Sequence, residues 1–127
     1  MLLAFDFGLT RIGVACAQHV TRTASPLVTL TARRGKPDWG AVDNLIGQWQ
    51  PSHLLVGLPL NMDGTVSEMA QRARSFAASL EQRYRLPVTL VDERLTSFEA
   101  HGLSADPEAR HAVAACLIAE TYFSGDS

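Results

Sequence analysis

The sequence predicts an α/β fold in which a mixed five-stranded sheet is flanked by helices. Two observations support this prediction. Three short apolar segments follow one another at the start of the chain, and segments with helical spacing of apolar residues separate the later strands. Consecutive strands joined by turns pair antiparallel, whereas strands joined through helices pair parallel. The order of the segments therefore predicts both kinds of pairing in one sheet.

The strands are predicted from short runs of apolar and β-branched residues. They cover residues 2–7, 12–18, 26–30, 53–58 and 87–91. The fourth run is apolar throughout, which is typical of a strand that is covered on both faces. Between the third strand and the first helix, residues 33–37 are predicted to form a polar, exposed connection.

The helices are predicted from their caps and their apolar spacing. Asp38 is placed to cap the first helix, which Pro51 ends. The second helix is predicted to open with a capping box formed by Thr65 and Glu68. A proline follows Asp106 at the predicted first position of the last helix, which is apolar nearly all round, as buried helices are.

Length and composition favour a single domain over residues 1–127. Hydrophobic residues make up 46% and charged residues 19%, which is typical of an ordinary folded protein. No apolar run is long enough to span a membrane, and Cys16 and Cys116 lie in apolar stretches, as expected in a reducing cytoplasm. The formal net charge of −2 argues against nucleic-acid binding by the whole surface, although it allows a local basic groove.

Asp6 is the most informative residue because it sits inside an apolar run that should be buried. An ionised carboxylate there is costly unless a cation or hydrogen bonds compensate for it. Gly8, two residues later, has no side chain and lets a phosphate or metal approach the backbone closely. The alternative is a buried aspartate that caps its own turn.

Glu93 is the second candidate, since it lies just past the fifth predicted strand. In open α/β sheets, functional sites gather beyond the carboxyl ends of the strands. Asp6 also lies at such an end, so the two carboxylates are predicted to converge. A solvated loop acid is the alternative interpretation of Glu93.

Three blocks of sequence resemble the YqgF/RuvX family of small bacterial RNase H-like proteins. They are L-L-A-F-D-F-G-x-x-R-I-G-V-A, V-G-L-P-L-N-M-D-G-T and D-E-R-L-T, and the resemblance extends from Leu2 to about Phe123. It implies an RNase H-like fold, a divalent metal (Mg²⁺ or Mn²⁺) and hydrolysis of phosphodiester bonds. It also implies nucleic acid as the partner: the 5′ end of precursor 16S rRNA or branched DNA such as a Holliday junction. Association with the ribosome and a monomer or weak dimer are expected.

The resemblance implies that Asp6, Glu93 and His111 take part in catalysis and metal binding. Hydrolysis with two metals requires carboxylates that hold the ions roughly 3.5–4 Å apart. Asp6 would bind both metals and Glu93 one of them, while Asp92 would point away, unless an irregular strand end exchanges the last two roles.

His111 is where the sequence departs from the family pattern. Counted back from the E-x-Y-F end, it occupies the position of an aspartate in a K-x-D-[SA] context, and the loop before it is shortened. Imidazole would favour Mn²⁺ over Mg²⁺. Two alternatives stay open: His111 is a helix-face histidine without a catalytic role, or Asp106 or Glu108 replaces the missing carboxylate.

Nucleic-acid contacts are predicted for Arg11 and Arg94, which follow the first turn and Glu93, respectively. Arginine binds phosphate oxygens well, although a surface salt bridge is the alternative for each. Asn61 is predicted to lie at the rim of the site, in a loop where Asp63 and Gly64 are equally typical of a plain turn.

Three functional classes remain open from the sequence. The first is a metal-dependent nuclease. The second is a catalytically weakened module that binds RNA or the ribosome, for which His111 is the reason. The third is a relative of actin-like ATPases, which share the acid-glycine hairpin but duplicate the domain and bind nucleotide between the halves.

Overall fold

The computed structural model describes residues 1–61, 63–93 and 107–125. Its strands are β1 (Leu2–Asp6), β2 (Arg11–Gln18), β3 (Thr23–Arg33), β4 (Lys36–Pro37), β5 (His53–Leu58) and β6 (Val88–Asp92). Its helices are α1 (Trp39–Trp49), α2 (Glu68–Tyr84) and α3 (Pro107–Gly125). The strands form one sheet in the order β4-β3-β2-β1-β5-β6. The first four pair antiparallel, whereas β5 pairs parallel with β1 and β6, which confirms the predicted mixed sheet.

The predicted count of five strands is wrong by one. The additional strand, β4, pairs with the end of β3 across a turn formed by Arg34 and Gly35, whose φ angles are 51° and 81°. A Lys-Pro dipeptide carries no hydrophobic alternation, so the sequence indicates only a polar connection there. β3 is also longer than predicted, because its ends pair with β2 and β4 without carrying a large apolar side chain.

The helix caps agree with the prediction at α1 and disagree at α2. The Asp38 carboxylate accepts hydrogen bonds from the backbone N–H groups of Gly40 and Ala41, as a helix cap does. At α2 the cap is Ser67, whose hydroxyl accepts a hydrogen bond from the N–H of Ala70 at 3.0 Å. The predicted capping box from Thr65 is therefore wrong.

The sheet separates two apolar cores. The first lies under α1 and α2 and includes Leu3, Phe5, Phe7, Ile12, Val56 and Phe76. The second lies under α3 and includes Leu2, Ala4, Ala15, Leu55, Val91 and Ile118. Successive residues of a strand point to opposite faces. Asp6, between Phe5 and Phe7, therefore faces α3.

A charged contact joins α1 to α2 at the surface. The Arg83 guanidinium donates two hydrogen bonds of 2.9 Å to the Asp43 carboxylate, and the Tyr84 hydroxyl donates a third. The Arg83 guanidinium also lies 5.0 Å from the centre of the Trp39 ring. These hydrogen bonds lower the pKa of Asp43 to about 2.

In the part of the chain that the structure describes, no helix is both long enough and apolar enough to cross a membrane.

Candidate active site

Asp6 ends β1, one of the two central strands of the sheet, and is half-buried on the α3 face. Its partner across the antiparallel pair is Gly13. The residues on either side of Asp6 are buried phenylalanines of the first core. They fix the strand so that the carboxylate has one direction open to it, towards α3.

Glu93 follows β6 directly and reaches the same place across β5. Its side chain lies over Gly57 of β5: a Cβ atom on this glycine would be 2.5 Å from the Glu93 Oε1 atom and 2.5 Å from the Ile118 Cδ1 atom. Because glycine has no Cβ, the carboxyl group can cross the strand to form a hydrogen bond with Asp6. The predicted convergence of the two acids is therefore what the structure shows. We call Asp6 and Glu93 the acid pair.

The pKa values of both acids of the pair are raised in the folded protein. Burial raises the pKa of Asp6, while the hydrogen bond from Glu93 and the positive charge of His111 lower it. The pKa of Glu93 is raised to about 8, first by burial and then by the charge of Asp6, with a smaller effect from Asp92. At neutral pH the Glu93 carboxyl group is therefore largely protonated and donates a hydrogen bond to Asp6.

His111 is half-buried near the start of α3 and lies close enough to Asp6 to act on its pKa. The contact that brings it there is between backbones. A Cβ atom on Gly13 would lie 1.8 Å from the His111 carbonyl oxygen and 2.1 Å from its carbonyl carbon. Since no side chain fits in that space, α3 can dock on β2 at this height only because residue 13 is glycine.

The donor atoms of the acid pair fit a hard divalent cation. Mg²⁺ prefers oxygen ligands and keeps several waters, so two carboxylates are a sufficient protein contribution. A third ligand is not in place among residues 1–61, 63–93 and 107–125, where no group of three His, Cys, Asp or Glu side chains is arranged to hold a metal ion. Neither Asp106 nor the Glu108 side chain belongs to the part that is described.

The loop after β5 is folded by its own polar side chains. The Asn61 side-chain amide donates to the Thr65 hydroxyl at 2.9 Å, and the Asp63 carboxylate accepts from both the N–H and the hydroxyl of Thr65. Gly64 has a φ of 87°. These bonds are those of a turn, and the proposed contact of exposed Asn61 with nucleic acid stays a prediction.

Of the two arginines predicted to contact nucleic acid, the structure describes Arg11. Arg11 begins β2 next to the turn after Asp6, is half-buried, and donates a hydrogen bond to the Thr10 carbonyl. Arg94 lies outside the described residues. The phosphate contacts predicted for both stay predictions.

Two histidines without a predicted role lie at the opposite end of β1. His53, at the start of β5, shares a hydrogen bond of 2.7 Å with the Thr89 hydroxyl and meets the Tyr122 ring edge to face. His19 meets Phe123 in the same way. Both side chains contact the end of α3, away from the acid pair.

Sequence reasoning missed Gly13 and Gly57 as residues that shape the site. Both were visible as single glycines inside apolar strands. A glycine at such a position is a signal for the close approach of another group. Here the approaching groups are the backbone of α3 and the carboxyl group of Glu93.

The chain is similar in sequence to a bacterial relative and in fold to two solved structures. A relative from Marinobacter nauticus, named as a candidate pre-16S rRNA nuclease, is 51% identical over 129 residues, which covers 95% of this chain and 90% of the relative. Among solved structures, Thermus thermophilus RuvC in complex with a Holliday junction substrate superposes with a TM-score of 0.60 at 15% identity, covering 98% of this chain and 94% of that one. The yeast mitochondrial Holliday junction resolvase Ydc2 superposes with a TM-score of 0.56 at 10% identity, covering 96% and 77%.

This chain and the two solved structures share the RNase H-like fold that the resemblance implied. The sequence model described as RuvX: Holliday junction resolvase matches residues 1–125, which is almost the whole length. By this match and by the identity to the Marinobacter relative, the chain belongs to the RuvX family of Holliday junction resolvases.

Proposed function

We propose that this protein is a nuclease that hydrolyses phosphodiester bonds with Mg²⁺ or Mn²⁺, and that its substrate is the 5′ end of precursor 16S rRNA. The observation that carries the proposal is the acid pair. The carboxyl groups of Asp6, at the end of β1, and Glu93, just past β6, meet on one face of the sheet and form a hydrogen bond there. Such an arrangement is costly unless the pair serves to bind a cation.

In this proposal the acid pair supplies the oxygen ligands. Loss of the proton that forms their hydrogen bond leaves two adjacent carboxylates, which together match the charge of a divalent ion. When bound, the cation supplies activation of water and stabilisation of charge on the leaving oxygen. The turn that follows Asp6 requires a glycine at position 8, because a Cβ atom there would collide with the Arg11 carbonyl oxygen at 2.5 Å. Catalytic roles for Asp6, Glu93 and His111 belong to this proposal.

RNA is favoured over branched DNA as the substrate. The relative at 51% identity is named for pre-16S rRNA, whereas the structure solved with a Holliday junction shares 15% identity and supports the fold only. A role in ribosome maturation fits a cytoplasmic protein that associates with ribosome precursors as a monomer or weak dimer. Family membership also favours a nuclease over a relative of actin-like ATPases.

The test is a cleavage assay with two substrates. The purified protein is incubated with a precursor 16S rRNA fragment and with a four-way DNA junction, each with Mg²⁺, Mn²⁺ or a chelator. We expect metal-dependent cleavage of the RNA by the native protein and none by Asp6→Asn, which is nearly isosteric and keeps the fold. Full activity in a folded Asp6→Asn protein would exclude the mechanism, and cleavage of the junction alone would exclude RNA as the substrate.

A second candidate is a module that binds RNA without cutting it. The observation that favours it is the missing third carboxylate, since His111 stands where the family pattern has an aspartate and the described residues form no three-ligand group. In that case RNA binding would survive Asp6→Asn and no metal would produce cleavage. The same assay, read together with a binding measurement on both proteins, separates the two functions.

A further inference from the structure

A basic groove lies on the face of the sheet opposite the acid pair. It is a cavity of about 790 Å³ between β4, the start of α1 and the exposed side of α2. Its lining includes Phe7, Arg34, Lys36, Trp39, Arg72 and Ser75. A smaller hollow beside it continues past Lys36 to Arg33. Nothing in the proposed catalytic reaction uses this groove.

The charge of the groove is positive although the whole chain has a net charge of −2. Arg33, Arg34 and Lys36 are exposed, and within the described residues none of them forms a salt bridge or side-chain hydrogen bond. The acids nearby are already engaged, since Glu68 pairs with Arg72 at 3.3 Å and Asp38 caps α1. Three adjacent cations therefore lack an ion-pair partner in the part of the chain that the structure describes, which suits an anionic ligand with several charges.

The floor of the groove is aromatic. The Trp39 ring is roughly parallel to the ring of Phe76, at 29° and with 6.1 Å between the ring centres, and Phe7 packs against Phe76 at 5.2 Å. Trp39 is only half-buried, so part of its ring faces the cavity. Cations that follow a backbone, together with an aromatic surface for bases, are how proteins bind single-stranded nucleic acid.

The groove begins at the edge where the acid pair lies. Phe7 lines it and is the residue directly after Asp6. The β3–β4 turn closes onto the β1–β2 turn, because the N–H of Gly35 donates to the Leu9 carbonyl at 2.9 Å. A strand that leaves the acid pair therefore needs to pass only over the Gly8 turn to enter the groove on the other face.

We propose that the basic groove binds the phosphate backbone of a single-stranded segment that flanks the bond to be cut. The inference rests on the proposed nuclease function and adds to it that the substrate has an unpaired flank. The aromatic floor favours a single strand, whose unpaired bases can stack on it, over a duplex. The residues that would contact phosphates are Arg34 and Lys36, with Arg33 farther along.

Two double variants test the groove by RNA binding in the Asp6→Asn protein. Arg34→Gln/Lys36→Gln removes two cations of the groove, and Arg74→Gln/Arg85→Gln removes two exposed cations elsewhere on α2 and at its end. The control matches in backbone strain, since Arg34 and Arg85 have φ angles of 51° and 54°. Binding of a short labelled single-stranded RNA is followed by anisotropy over a series of KCl concentrations.

We expect the groove variant to bind several-fold more weakly and to lose about 1.4 from the slope of log K against log[KCl], at about 0.7 for each phosphate contact. The control should keep the slope. Equal behaviour of the two variants would overturn the groove while leaving the nuclease proposal intact. Groove-dependent binding without any cleavage by the native protein would overturn the nuclease proposal and leave the groove standing.

A second measurement uses the aromatic floor. The chain has two tryptophans, so Trp49→Phe leaves Trp39 as the only one. Single-stranded RNA should change the Trp39 emission in this variant, and the change should disappear when Arg34→Gln/Lys36→Gln is added. Emission that does not respond to RNA at saturating concentrations would place the RNA outside the groove.

Discussion

The Glu93 carboxyl group stays protonated at neutral pH because it is shielded from water and lies beside the Asp6 carboxylate. A proton is the smallest cation that can relieve this repulsion, and a divalent metal ion relieves it more completely. We therefore expect removal of one acid to have two separable effects, a loss of metal affinity and a relief of charge repulsion in the metal-free protein. Residue-level experiments can measure each effect.

Glu93→Gln and Asp92→Asn distinguish the ligand from its neighbour. We expect Glu93→Gln to weaken Mn²⁺ binding by tenfold or more, since it removes one of two oxygen ligands, and Asp92→Asn to leave the affinity within about twofold. Isothermal calorimetry measures both. The opposite ranking would mean that the irregular end of β6 presents Asp92 to the metal instead of Glu93.

His111→Asp tests whether the histidine sets the metal preference. Imidazole is a softer ligand than carboxylate, so we expect the native protein to be more active with Mn²⁺ and His111→Asp to raise Mg²⁺ affinity by roughly tenfold. His19→Asp makes the same chemical change at the opposite end of β1 and should alter neither ion's affinity. Unchanged calorimetry and unchanged activity in His111→Asp would show that this side chain takes no part in the site.

At the scale of elements, the position of α3 depends on one missing side chain in β2. The helix carries His111 to the acid pair, and the backbone carbonyl group of His111 occupies the space that a Cβ atom on Gly13 would need. Since the contact is between two backbones, no side-chain rotation can relieve a substitution. The position of His111 in the site thus depends on how closely α3 docks on Gly13.

Gly13→Ala should therefore destabilise the protein by about 3 kcal/mol, at the upper end of typical overpacking costs. Gly47→Ala is the matched control, because residue 47 lies in α1 with nothing within 4 Å of its Cβ position. It should stabilise the protein by about 0.5–1 kcal/mol, the usual gain within a helix. Urea unfolding measures both changes, and a Gly13→Ala protein as stable as Gly47→Ala would mean that α3 docks elsewhere.

At the scale of the whole molecule, the acid pair makes stability depend on pH. Both pKa values are raised in the folded protein, so the folded state keeps protons that the unfolded chain has already released. Stability from this source is complete below pH 4 and is lost as the pH rises towards about 8. The lowered pKa of His53 makes the unfolding free energy rise with pH near pH 6, which is the opposite direction. The contribution of the acid pair is therefore measured as the difference between two proteins that both contain His53.

We expect the unfolding free energy of the metal-free native protein, minus that of Glu93→Gln, to fall by roughly 1–3 kcal/mol between pH 5 and 8.5. Mg²⁺ at a hundred times its dissociation constant should restore about 2.7 kcal/mol to the native protein at the higher pH. Chemical unfolding at each pH gives the difference. A flat difference profile would show that the two acids do not interact in solution.

Much of this arrangement could be predicted from the sequence, and the rest had no local signal. Asp6 and Glu93 converge because β1, β5 and β6 are parallel and their carboxyl ends share an edge. Local patterns do not indicate β4, since two polar residues show no alternation. They also do not place His111, because its approach to Asp6 depends on a contact with Gly13 nearly a hundred positions away in the chain. The catalytic roles of these residues stay predictions.

The turn at Arg34 and Gly35 has a consequence for anyone who engineers this protein. Both residues have positive φ, and Asn-Gly is the pair that such two-residue turns prefer. An arginine at the first position costs on the order of 1 kcal/mol in backbone strain. A library selected for heat resistance alone will therefore enrich Arg34→Asn. Selection would then raise stability while it removes a cation of the groove that we propose to bind RNA.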